Sequence, residues 1–87
     1  MEPAVAFGNV LRRLRLKAGL SQEELGFEAN LRRTYISILE LGQQQPTLTT
    51  ILKLAAAFQR PAKDLVSMAE SELKKANKSL AKTRAAR

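Results

Sequence analysis

The 87-residue chain contains no cysteine and no histidine. Without cysteine there are neither disulfides nor thiolate metal sites. Without histidine the commonest neutral-pH general base and the commonest metal ligand are missing. Only eight residues are acidic, and they form no recognisable catalytic constellation. No enzyme is expected and no cofactor is implied. The N-terminus lacks the basic start and apolar run of a signal peptide. The longest apolar runs are far too short to span a bilayer, so no membrane partner is expected and the protein reads as soluble and intracellular. Strand alternation and internal repeats are also absent, which leaves an all-α chain. Its length allows one small domain. Such a domain buries only about 60–65% of its unfolded surface, so help from a partner subunit is plausible.

What the chain has in excess is positive charge. Fifteen Lys and Arg face eight Asp and Glu, for a net charge of +7 and a pI near 10.4. That balance favours polyanions, although anionic lipid would also fit. The charge is uneven: residues 68–87 carry +4 and residues 1–67 only +3. The body is therefore mildly basic, and any case for nucleic acid must come from its motifs.

The chain is expected to start with a short lead-in through residue 4, with Pro3 near the start of the first helix. Phe7, Val10, Leu11, Leu14 and Ala18 then form one apolar stripe at helical spacing, ending at Gly19. Ser21 and Glu24 have the S-x-x-E spacing of a capping box and open a second helix, about Gln22 to Glu28. Asn30 sits where the chain must reverse, and Asn tolerates the left-handed conformation. A third helix follows from about Arg32 to Leu41, with Leu31, Ile36 and Leu39 on its inner face. Arg33, Thr34, Ser37, Ile38 and Leu41 face outward, and their cationic and hydroxyl groups suit contact with a nucleic acid. Gly42 closes this helix.

Beyond the polar loop Gln43-Gln44-Gln45-Pro46, Thr47 is a candidate N-cap for a fourth helix with Leu48, Ile51, Leu52, Ala55 and Phe58 in periodicity. Arg60-Pro61 breaks it, and Pro61 suits the first turn of a fifth helix containing Leu65 and Val66. Residues 68–87 are rich in Lys, Ala and Ser and hold no aromatic residue. Val66, Leu73 and Leu80 recur every seven residues there, so the segment reads either as a helix with coiled-coil spacing or as a solvated basic tail. The expected division is a domain over 1–67 and a basic extension over 68–87.

The runs Gly19-Leu20-Ser21-Gln22-Glu23-Glu24-Leu25, Thr34-Tyr35-Ile36-Ser37, Leu39-Glu40-Leu41-Gly42 and Pro46-Thr47-Leu48 resemble the Cro/lambda-repressor-like helix-turn-helix family, from about Phe7 to Val66. The resemblance implies a compact five-helix domain and a sequence-specific transcriptional regulator in a bacterial or phage setting. It also implies that two subunits pair on double-stranded DNA. Gln22 would reach the DNA backbone and brace the third helix, and Arg15 and Glu40 would link the first helix to the third.

Arg33 and Thr34 stand where the family touches base edges. An arginine there can pair bidentately with guanine, worth about 1–3 kcal/mol of discrimination; the alternative is a phosphate clamp, the role better suited to Arg32. Ser37 lies one turn on. Ile38 can press on a thymine methyl or extend the core. Tyr35 is expected to pack its ring while its hydroxyl reaches a phosphate. Gln43 and Gln44, with Gln45, stand where relatives place cations, and either donate to phosphate or are simply solvated. Val66, Met68 and Leu73 are the expected dimer interface.

Several positions depart from the family's pattern. Ile38 and Leu41 obscure the operator, and Gly26 costs helix stability but lets the third helix approach closely. Phe27 would be an exposed aromatic. Two rival readings follow: a module that binds a protein partner through Phe27, Ile38 and Leu41, and a nonspecific nucleic-acid-coating protein driven by its tail.

Overall fold

The computed structural model describes the backbone of residues 1–85, with side chains as far as Asn77. It is an array of five helices: α1 Pro3–Lys17, α2 Gln22–Ala29, α3 Arg33–Glu40, α4 Leu48–Ala57 and α5 Ala62–Ala85. Among the described residues there is no strand, and no helix is long and apolar enough to cross a membrane. Helix α1 packs on α3 and α5, α2 on α3 and α4, and α4 on α5. The core they enclose contains Phe7, Val10, Leu11, Leu14, Leu25, Ile36, Leu39, Leu54 and Leu65. Burying side chains of this size contributes roughly 1.5–3 kcal/mol each.

Turn chemistry sets the helix ends. The Ser21 hydroxyl accepts the Glu24 N–H at 3.0 Å, and the Glu24 carboxylate accepts the Ser21 N–H at 2.9 Å. Asn30 adopts φ 55°, and Leu31 N–H donates to the Gly26 carbonyl at 2.8 Å across the turn. Thr47 Oγ1 accepts the Thr50 N–H at 3.1 Å at the start of α4. Gly19 and Gly42 carry positive φ just beyond α1 and α3.

Several local details are sharper than the sequence pattern alone. Helix α1 begins at Pro3, the residue expected near its start, so the lead-in is shorter than four residues and Ala4 and Ala6 are buried as well. Ala18 is exposed, because the helix ends one residue earlier and the chain turns at Gly19. Helix α4 ends at Ala57, before Arg60-Pro61 is reached, because Gln59 takes the left-handed conformation at φ 56°. The inner face of α4 is Thr50, Leu54 and Ala55, with Ile51 and Phe58 packed against the core as expected, whereas Leu48 and Leu52 are exposed. Helix α5 is continuous across Ser67 and Met68, so the basic segment prolongs the last helix.

Candidate nucleic-acid interface

Helix α3 is only eight residues long, too short to hold its own shape or direction in water. Its neighbours supply both. Ile36 and Leu39 are fully buried against the other helices. Gly8 of α1 and Gly26 of α2 allow the closest approaches. A Cβ on Gly8 would meet the Leu39 and Glu40 carbonyl oxygens, and one on Gly26 would stand 2.6 Å from the Leu31 carbonyl oxygen. The cost of Gly26 to helix stability thus has a return in the tight turn before α3.

The end of α3 is held by charge. Arg15 Nε and Nη2 donate to the two Glu40 oxygens at 2.6 and 3.0 Å. Arg15 Nη1 donates to the Leu20 carbonyl at 3.0 Å, and Gln22 Nε2 donates to Glu40 Oε1 at 3.2 Å. The side chains of Arg15 and Glu40 are only 11% and 5% exposed. The hydrogen bonds to Glu40 raise the Arg15 pKa above its ordinary value. Helices α1, α2 and α3 therefore converge on a single carboxylate, with every buried side-chain polar atom partnered among the described residues.

Drawing Glu40 inward has an electrostatic result. It is the only acidic residue between Ala29 and Gln59, and its charge is matched by Arg15. The outer face of α3 then presents exposed Arg32, Arg33 and Thr34, half-buried Ser37 and Ile38, and exposed Leu41. Arg32 is the N-cap and offers no side-chain acceptor to the first turn, which also lacks an acidic residue. The first-turn N–H groups and the helix dipole consequently favour an anion in front of them. Gln43 and Gln44 are exposed beside the other end of the helix.

Two of the expected contact residues have partners within the chain. The half-buried Tyr35 brings its hydroxyl within 3.2 Å of Thr50 Oγ1. Thr50 is itself bonded by Thr47 Oγ1 at 3.0 Å. Gln22 is turned toward Glu40 and is half-buried, so it braces α3 directly. Sequence reasoning missed Thr50 and Gly8; each carries a signal in its smallness, but only the packing of separate helices gives it meaning.

Of the expected dimer residues, Val66 is 45% exposed, whereas Met68 is half-buried and packs against the core together with Ala69. Met68 thus has cover within its own chain. Leu73 is half-buried, and the Leu80 side chain lies outside the described residues. Phe27 is 86% exposed. It borders a groove also lined by Leu20, Ser21, Glu23, Glu24 and Glu28, which neither Ile38 nor Leu41 reaches.

Residues 11–65 match the helix-turn-helix family model. The chain belongs to that family. The family-model match stops at Leu65, early in α5. The chain is 44% identical over 61 residues to control protein C.BamHI of Bacillus amyloliquefaciens, covering 69% of this chain and 75% of that one. The restriction-modification controller protein C.AhdI of Aeromonas hydrophila is 45% identical. It aligns with a TM-score of 0.69 over 71% of this chain and 94% of its own. The clp gene regulator ClgR of Corynebacterium glutamicum, at 24% identity, shares the fold over 95% of this chain and 90% of its own, with a TM-score of 0.81.

Proposed function

We propose that this helix-turn-helix protein is a sequence-specific DNA-binding transcriptional regulator of the controller type, working in the cytoplasm as a homodimer. The observation that carries the reading is the charge division of α3. Its one carboxylate is buried against Arg15, and its outer face is left with Arg32, Arg33, Thr34 and Ser37. A helix of this kind enters the major groove with its first turn at the base edges. Arg33 and Thr34 meet bases, and Arg32 meets a phosphate. Gln43 and Gln44 donate to the backbone beside the groove. Tyr35 supports α3 through Thr50, and Ile38 lies against the groove floor. Two subunits joined through Val66, Leu73 and the exposed edge of Met68 read half-sites about 34–36 Å apart. Occupying promoter DNA then represses; activation requires a further contact with the transcription machinery.

Selection of bound duplexes from a random pool tests this directly. Certain sequences are expected to be enriched, with affinity falling steeply as salt rises and phosphate-bound counterions are released. Random duplex that binds as tightly as every selected sequence at near-physiological salt would overturn it.

A further inference from the structure

After Glu72 the chain has no acidic residue. Lys74, Lys75, Lys78, Lys82, Arg84 and Arg87 follow within 15 positions. Glu72 itself is neutralised, because Arg13 Nη2 of α1 donates to its Oε1 at 2.7 Å. This bond is also the main reason the Glu72 carboxyl is held below its ordinary pKa. The pair fastens α5 to α1 at the point where the all-cationic segment begins. Lys74 and Lys75 are exposed there. In the sequence Lys74, Lys78 and Lys82 recur every fourth residue, the spacing that keeps positions on one side of a helix.

The helix is long for so small a protein. Its 24 residues span about 36 Å at 1.5 Å per residue, and the molecule measures 49 × 24 × 23 Å. From Lys74 to Ala85 the backbone covers about 18 Å. Duplex DNA presents one phosphate charge per about 1.7 Å of its axis, so that length faces many phosphates. The segment also lies beyond the residues that match the family model. An anionic membrane is the poorer partner. Interfacial helices need a broad apolar face with large side chains, and Leu80 is the only large apolar residue after Leu73.

We propose that α5 beyond the Arg13–Glu72 pair is a second, sequence-blind DNA-binding element that grips duplex phosphates flanking the site read by α3. The inference rests on the regulator reading for its partner. Once α3 is docked, flanking DNA is present at high effective concentration, so weak phosphate contacts add affinity without adding specificity.

The test compares the full chain with a Lys74→Gln/Lys75→Gln/Lys78→Gln/Lys82→Gln variant. Gln has a helix propensity close to that of Lys, and circular dichroism and sedimentation check fold and assembly. Should that variant fold or assemble poorly, Lys74→Gln/Lys75→Gln is used instead. The probes are a selected sequence in a duplex trimmed to the length that the fourfold variant protects, the same sequence with flanking DNA on both sides, and a random duplex. On flanked and random duplexes the fourfold variant is expected to bind roughly 10- to 100-fold more weakly, with the salt slope reduced by about 2–3.5 per chain. On the trimmed duplex the two proteins bind alike, and the ranking of selected sequences is unchanged. An unchanged affinity on flanked DNA would overturn the proposal, as would an equal loss on trimmed and flanked DNA. Binding that is lost only to duplex RNA or to phosphatidylserine vesicles would also overturn it. If the full chain shows no sequence preference at all, the regulator reading fails; the flanking-DNA element still stands if the variant loses affinity for random duplex.

Discussion

Gly8 of α1 lies against Leu39 of α3 so closely that a Cβ on the glycine would stand 2.5 Å from the Leu39 carbonyl oxygen and 2.8 Å from that of Glu40. Both atoms are backbone, so neither can swing aside. Gly8→Ala gains about 1 kcal/mol of helix propensity and loses about 3 kcal/mol to overpacking. The expected result is a net loss of about 2 kcal/mol, or a Tm roughly 8–16 °C lower, together with weaker DNA binding as α3 is pushed outward. Thermal melting checks it; an unchanged or raised Tm would show that the helices separate freely.

Arg15→Ala and Glu40→Ala each leave a nearly buried charge without its partner. Each is expected to cost about 3 kcal/mol or more, a Tm drop of roughly 12–24 °C for a domain this size. The double variant should lose clearly less than the two losses combined. Glu40 keeps its bond from Gln22 in Arg15→Ala, and Arg15 keeps its bond to the Leu20 carbonyl in Glu40→Ala, so each remaining charge retains one neutral partner. Strict additivity in the melting series would mean that the two side chains act independently.

Arg33 and Arg32 separate base reading from phosphate contact. Arg33→Ala is expected to relax preference at one base pair per half-site by about 1–3 kcal/mol. Arg32→Ala should weaken every sequence alike and reduce the salt slope by about 1 per chain. Competition binding against single-base variants of a selected duplex distinguishes them. Sequence-blind losses from both would make Arg33 a backbone contact.

Glu24 gives a pH dependence with a definite sign. The Ser21 N–H and hydroxyl hold its carboxyl below the ordinary value of 4.5. The stabilisation is therefore fully present above about pH 4.5, where the unfolded chain is also ionised, and is lost as pH falls through the lower folded value. Glu24→Gln keeps a capping side chain but removes the charge. The Tm gap between the two proteins should be constant from pH 7 to about 5 and narrow below that. A gap that persists unchanged into strong acid would assign it to something other than the carboxylate.

Val66 tests assembly, because it is exposed and can be changed without opening the core. Val66→Glu should leave the Tm of the monomer within about 0.5 kcal/mol-equivalent of the parent and weaken self-association in sedimentation at micromolar concentration. A parent chain that is monomeric, or a variant that dimerises equally well, would remove α5 from the interface.

The turn-level features were legible in the sequence because their chemistry is local. Ser21 with Glu24, Asn30, Gly42 and Thr47 each solve a problem within a few residues. Gln59 was not legible, since nothing in its type marks it for a left-handed conformation. The inner face of α4 was legible only in part. Most of its residues are apolar, so periodicity could not choose between a Leu48/Leu52 face and a Leu54 face. The polar Thr50 lies on the inner side because Tyr35 and Thr47 satisfy its hydroxyl there. The Arg13–Glu72 pair joins residues 59 apart in the chain, a distance at which one sequence alone carries no pairing signal. At the interface, the resemblance supplied Arg15 and Glu40, but that Gln22 shares the same carboxylate emerged only from the geometry.

Arg33, Thr34 and Ser37 make no side-chain hydrogen bond among the described contacts, whereas the direction of α3 is fixed from behind by Arg15, Gln22, Gly8 and Gly26. Posture and vocabulary are thereby assigned to different residues. The three outward positions are open to exchange at little cost in folding, so a lineage of such proteins can drift from one operator to another, and a designer can retarget this one, while the scaffold that aims the helix stays as it is.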